Sequence, residues 1–222
     1  MIPSAGRMLN RYKSSRRVMH IESGKKKKKS IENESVPNDR IIEKYCALAI
    51  EKGVTDAKLV IPSSVETAAW VRWKCRFGCP VYGQGHCCPP DTPTPEETRK
   101  FLDSYQRAIL FHLQVPQSPV REERKELGKT FRKLHRMLVK MEGELFKEGF
   151  YKAFLFLAGP CRMCKECGKV SGEPCLLMGT ARPAMEACGI DVFQTARNND
   201  YYINPLHDKT ETQNTYCLMM VD

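Results

Sequence analysis

Residues 151–167 read YKAFLFLAGPCRMCKEC. The apolar run from Ala153 to Ala158 is too short for a helix of its own and reads as a buried strand. Gly159-Pro160 stops it, and Cys161, Cys164 and Cys167 follow at once. A strand end therefore delivers three thiols onto a loop. Upstream, Val120 to Phe150 reads as the longest helix, with Leu127, Phe131, Leu134, Leu138, Met141 and Leu145 alternating four and three apart along one seam. Before that helix, Ala108 to Val115 reads as another strand, closed by Pro116 and Pro119. Strand, long helix and strand predict an α+β (or α/β) fold, a small mixed sheet with helices packed on it and cysteine-rich loops at strand ends.

The pattern extends in both directions. Arg40 to Lys52 carries Ile41, Ile42, Tyr45, Cys46, Ala49 and Ile50 at helical spacing, with Gly53 placed to end the helix. Ala57 to Pro62 reads as a short strand, and Val65 to Lys74 fits helix and strand equally. A Gly/Pro-rich loop with the first cysteine cluster comes next. Thr94-Pro95-Glu96-Glu97 is a helix start, with Thr at the N-cap, Pro in the first turn and Glu three residues on, and this helix runs to about Tyr105. A short helix near Pro183 to Ala187, a segment Gly189 to Ala196 and a strand near Tyr216 to Val221 complete the chain.

Seven of the eleven cysteines have metal-ligand spacing. Cys161, Cys164 and Cys167 step by three, and Cys175 follows in GEPC. Short steps let one loop wrap a soft, sulfur-seeking centre, and a run of three is the rhythm of a [4Fe–4S] cluster; zinc sites more often use two separated pairs. The gap of seven residues before Cys175 is wider than the ferredoxin spacing. In the first cluster, CRFGCPVYGQGHCCPP, Cys75 and Cys79 lie close and the vicinal pair Cys87-Cys88 comes later, before Pro89-Pro90. Neighbouring side chains point in different directions, so Cys88, fixed by the prolines, is favoured. Cys75, Cys79 and Cys88 then leave a fourth position to Cys87, His86, Cys188 or an outside ligand. One or two [4Fe–4S] clusters are expected, with zinc as the alternative.

Other chemistries lack their signatures. There is no Gly-rich dinucleotide or phosphate loop, no HExxH, and no Cys-x3-Cys-x2-Cys spacing for radical chemistry on S-adenosylmethionine. An odd number of cysteines without a secretory leader argues against a disulfide framework and for reduced thiols in the cytoplasm. No apolar run has the length of a membrane span.

The formal charge of +10 is uneven. Residues 1–40 carry a net +7, including the run Lys25 to Lys29, and the other residues only +3. Residues 1–37 read as a disordered basic extension: a solvated tail, a targeting segment, or an arm for nucleic acid or an anionic surface. Residues 38–222 read as one cysteine-rich metal-binding domain.

The stretches WKCRFGCPVYGQGHCCPPDTPTPEET (73–98), YKAFLFLAGPCRMCKEC (151–167), GEPC (172–175) and ARPAMEACGIDVFQTA (181–196) resemble, in fixed order, a family of small predicted metal-binding proteins of unknown function (domain of unknown function 2284), found largely in anaerobic bacteria and archaea. The likeness spans about residues 40–222. It implies a cysteine-bound metal with Cys75, Cys79, Cys88, Cys161, Cys164, Cys167 and Cys175 as ligands, and it does not fix a cysteine at position 87. Within Arg182 to Asp191, Met185 and Ile190 suit packing; a functional role would have Arg182 neutralise cluster charge and Glu186 or Asp191 line a pocket.

Three functions compete at this level. One is electron transfer with a redox partner protein in anaerobic metabolism. Another is a reductase or metal-cofactor-handling enzyme working at an open iron of the first cluster. The last is a zinc-stabilised binding module whose tail contacts nucleic acid.

Overall fold

A computed structural model describes residues 35–208 and 210–222. The basic run Lys25 to Lys29 and residues 1–34 of the extension expected over 1–37 lie outside them; its last three residues fall in the first helix, which begins at Ser35. The elements in order are α1 (Ser35–Glu51), β1 (Asp56–Val60), α2 (Ala69–Gly78), α3 (Pro95–Leu102), β2 (Ala108–Val115), α4 (Arg121–Lys147), β3 (Phe154–Phe156), α5 (Val192–Asn198) and β4 (Gln213–Met220), with short 3-10 turns at Pro62–Ser64, Gly168–Ser171 and Glu186–Cys188. The class is α+β.

The strands pair in the order β1-β2-β4-β3, all antiparallel. The long pairing is β2 on β4, from Ala108 opposite Met220 to Val115 opposite Gln213. The parallel element is a single bridge between Leu157 and Ala184, beyond the end of β3. Successive side chains of a strand point to opposite faces, and here both faces are covered. Ile109, Phe111, Leu113, Leu155, Cys217 and Met219 face one core with Ile42, Ala49, Leu138, Met141 and Leu145 from α1 and α4. Ala108, Leu110, Phe156, Tyr216, Leu218 and Met220 face a second core with Leu102, Met185, Ile190 and Ala196. Cover on both faces is why β2 reads as a continuous apolar run without alternation.

The helices follow their local signals. The Thr94 hydroxyl accepts from the Glu97 N–H at 3.2 Å while the Glu97 carboxylate accepts from the Thr94 N–H at 2.8 Å, which closes the expected capping box. In α4 the seam is fully buried only in its second half, at Leu138, Met141 and Leu145; Phe131 and Leu134 pack at the margin. The helix ends where Gly149 takes a φ of 102°, a conformation glycine adopts without steric cost.

The ambiguous stretch Val65 to Lys74 divides. Val65 is core, Thr67 bridges to Ile190, and α2 starts at Ala69 and continues through Cys75. Cys75 therefore sits on a helix and not in the loop expected for the first cluster. The apolar face of α2 is mostly outward: Trp70, Trp73 and Phe77 are at least half exposed, and the rings of Trp73 and Phe77 stack 5.5 Å apart. Among the described residues no helix is long and apolar enough to cross a membrane.

Candidate metal centre

The first thiol group grows out of the end of α2. Cys75 lies in its last turn, and Cys79 caps it by donating its N–H to the Cys75 carbonyl at 3.3 Å. Four turns follow, closed by Tyr82 N–H to Cys79 O, Gln84 N–H to Val81 O, Cys88 N–H to Gly85 O and Asp91 N–H to Cys88 O at 3.0 to 3.2 Å. They fold the loop back so that the Cys75, Cys79 and Cys88 thiols lie within one another's electrostatic reach. Gly85 is at the inside of that fold: a Cβ there would meet Cys88 Sγ at 3.4 Å. The loop is held from below. Arg72 donates to the carbonyls of Pro93 at 2.5 Å and Ala187 at 3.1 Å, and the hydroxyls of Thr92 and Thr98 donate to the Ala187 and Cys188 carbonyls. The 182–191 block thus packs under the first thiol group, with Cys75 Sγ 3.8 Å from the Glu186 carbonyl.

The second group grows out of the end of β3. Leu157 and Ala158 continue the buried run, and Gly159 turns the chain at a φ of 65°. Cys161, Cys164 and Cys167 follow. The seven residues before Cys175 start with the 3-10 turn Gly168–Ser171 and fold back on it: Glu173 N–H donates to Gly168 O at 2.7 Å, and Gly172 reverses the chain at a φ of 78°. A Cβ on Gly168 would come within 2.8 Å of the Pro174 carbonyl, so the return of Cys175 needs glycine at 168. The wide spacing in the sequence is absorbed by this turn.

The second group lines a cavity of about 630 Å³, and Cys87 lines it too. Five thiols face this space, from Cys87, Cys161, Cys164, Cys167 and Cys175, with Arg132, Arg162 and Lys165 around them. The vicinal pair parts here: Cys87 lines this cavity and Cys88 does not, although Cys88 lies within electrostatic reach of Cys161 and Cys167 as well as of Cys75 and Cys79. The two loops are clasped together where they meet. His86 Nε2 lies 2.8 Å from the Glu173 carbonyl, and Lys169 pairs with Asp91. All eleven cysteines are free thiols.

The electrostatics follow from this arrangement. The neighbouring Cys87 thiol and a Met163 backbone N–H favour sulfur charge on Cys161, which drops to a pKa of about 6, while Cys87 beside it is pushed up. Burial lifts Cys88 to about 11 and also raises Cys75. The positive side chains at the cavity are the complement a set of thiolates requires.

The remaining candidates go elsewhere. Cys188 is fully buried in the second core, and burial lifts its thiol to about 12. Asp191 caps α5 by accepting the Gln194 N–H at 3.0 Å. Arg182 donates to both carboxylate oxygens of Glu142 on α4, at 2.8 and 3.1 Å, so it anchors the returning loop to the helix. Glu186 is unusual: its carboxyl oxygen Oε2 is buried with no hydrogen-bond partner, although the residue as a whole is half-buried, and burial raises its pKa.

The donor set fits a soft metal: two groups of thiols, with cationic side chains around the second group and no array of carboxylates. Among the described residues no three His, Cys, Asp or Glu side chains are already drawn in to a single coordination point; the loops bring the sulfurs near without closing them. The position of Cys87 was the feature hardest to read in advance. Its signal is that adjacent residues in a turn project to opposite sides.

Comparison with known proteins gives one match. The family model described as predicted metal-binding protein (DUF2284) covers residues 58–221, and the chain belongs to that family. No curated protein and no solved structure matches.

Proposed function

We propose that this member of a metal-binding family is an iron–sulfur protein that exchanges single electrons with a redox partner protein in the cytoplasm. The observation that carries the reading is the cavity at the end of β3, where four thiols from one loop and Cys87 from another meet among Arg132, Arg162 and Lys165. A [4Fe–4S] cluster would be held there by Cys161, Cys164, Cys167 and Cys175, and a second centre by Cys75, Cys79 and Cys88. When bound, such a group supplies one-electron chemistry tuned by the hydrogen bonds and exposure of its sulfurs. The chain's own part is to lower the cost of collecting negative sulfur, through the three cations and the Met163 N–H on Cys161. The clasp of His86 and Asp91 onto the second loop keeps the two thiol groups side by side.

An enzyme working at an open metal position of the first group has its own support. The three alternatives for a fourth protein ligand are each occupied: Cys87 faces the other cavity, His86 Nε2 is taken by the Glu173 carbonyl, and Cys188 is buried in the core. Cys75, Cys79 and Cys88 then form a three-thiol site, the arrangement that leaves a position for water or substrate.

The test is metal and sulfide content with a visible spectrum, on protein made and kept without oxygen. About eight iron and eight sulfide per chain, meaning two four-iron centres, is the result expected. About four of each places the cluster at one group. Zinc without sulfide overturns both redox readings and leaves a zinc-stabilised module; a role for the tail on nucleic acid would then show as affinity that falls steeply with salt and is lost with residues 1–37.

A further inference from the structure

The sequence of α2, AWVRWKCRFG, sets Trp70, Trp73 and Phe77 three and four residues apart, so their rings form one stripe along the helix. The stripe faces outward: the three residues are 50, 65 and 70% exposed. Val71 and Cys75, four apart on the other side, are turned toward the body of the protein. The rings are held in place. Trp73 and Phe77 stack 5.5 Å apart, and the Arg76 guanidinium lies 5.4 Å from the centre of the Phe77 ring. The helix carries no carboxylate. Of its three cations, Arg72 is turned in to the Pro93 and Ala187 carbonyls, while Lys74 and Arg76 are exposed and flank the stripe. An exposed aromatic centre with a charged rim is the anatomy of a protein interface.

We propose that the outward face of α2 is the docking surface for a small acidic one-electron carrier protein. This rests on the electron-transfer reading above and names the place and the chemistry of the partner. Trp73 and Phe77 form the centre of the contact, and Lys74 and Arg76 steer a carboxylate-rimmed patch onto it. Charge decides between the occupants. The basic run Lys25 to Lys29 has the same sign as the rim, and so has a second copy of a chain with a net charge of +10; both are repelled. An anionic membrane surface is held by clusters of cations, and two exposed ones give it little. The stripe and Cys75 lie on opposite sides of one helix, a separation of one helix diameter, about 10 Å. Docking there brings the carrier close to the first thiol group. One electron leaves the reduced protein of the pair and enters the oxidised one, and no bond is made or broken.

The experiment titrates the full chain, made and kept without oxygen, with an acidic plant-type ferredoxin and, for contrast, with basic cytochrome c. Calorimetry reads binding and stopped-flow absorbance reads electron transfer. The ferredoxin should bind one to one, more weakly as salt rises, and cytochrome c should not bind. Trp73→Ala should weaken ferredoxin binding about tenfold or more. Lys74→Glu combined with Arg76→Glu should slow association and remove its salt dependence. Both proteins should keep the metal content of the wild type. Trp70→Ala, further along the helix from Cys75, repeats the measurement if a variant beside the thiol loses metal. Ferredoxin binding that is absent, or that is unchanged in every variant, overturns the proposal. So does wild-type binding to phosphatidylserine vesicles, or self-association, that Trp73→Ala abolishes. Binding weakened by these variants with no electron passing ends the electron-transfer reading and leaves the surface. Electron transfer to ferredoxin at the wild-type rate in every variant keeps that reading and removes the surface.

Discussion

β2 and β4 pair over eight residues, and Ile109, Leu110, Phe111, Cys217 and Leu218 are fully buried there between two layers of helix and loop. The cysteine loops, 79–91 and 159–182, hold their shape with single turns and a few long-range ties, and each of their thiols is partly exposed. The difference separates two sources of order. The sheet is set by burial of apolar side chains and needs no ligand. The loops bury little, so their final geometry is left to whatever the sulfurs bind, as expected of a region at the low-stability end of a fold.

That contrast can be broken or sharpened by experiment. The largest effect belongs to the sheet: Leu218→Ala should cost about 2–5 kcal/mol in denaturant unfolding, with metal content per folded chain unchanged. A loss of metal from folded protein would mean that sheet and loops are one cooperative unit. Acid gives the next. His135, buried on α4 beside Cys217 at 4.0 Å, is held neutral, its pKa lowered from 6.5 to about 4 by burial first and Arg162 second. The unfolded chain therefore binds more protons between about pH 4 and 6.5, and stability rises with pH through that window and is lost on acidification, by up to about 3 kcal/mol. His135→Leu should flatten that slope in paired unfolding curves at pH 4.5 and 7 (about those values).

Glu142→Ala tests the joint between the two regions. It removes the acceptor of Arg182 and should cost about 1.5–3 kcal/mol. Faster hydrogen exchange should be confined to residues 176–185, with β2 and β4 still protected. Spread of the effect through the sheet would make Arg182 a core residue and not a tether. The smallest effect is Thr94→Ala, which opens the capping box of α3 for about 1 kcal/mol and should leave the visible spectrum of loaded protein unaltered.

The parts legible in the sequence are those whose cause is local. The run Ala108–Val115 announces a strand because both faces are buried, and Thr94 with Glu97 announces a helix start because both halves of the cap lie within four residues. The gathering of Cys161, Cys164 and Cys167 is likewise local. The start of α2 was not legible, because Trp70, Trp73 and Phe77 face outward and leave no buried helical face to read. The return of Cys175 depends on a close approach at Gly168, and the Arg182–Glu142 pair joins residues forty apart. The entry of Cys87 into the second cavity goes with ties between loops, through His86 to Glu173 and Lys169 to Asp91. No short window of sequence contains these.

The outward face of α2 also makes the protein its own optical probe. Both tryptophans of the chain, Trp70 and Trp73, lie on the helix whose end carries Cys75 and Cys79. Emission excited near 295 nm (an approximate choice for tryptophan) thus arises from one side of the first thiol group and from nowhere else. A coloured centre at Cys75, Cys79 and Cys88 would drain that light by energy transfer, while a colourless zinc ion would leave it bright. Iron–sulfur loading and zinc loading can thus be told apart in a cuvette.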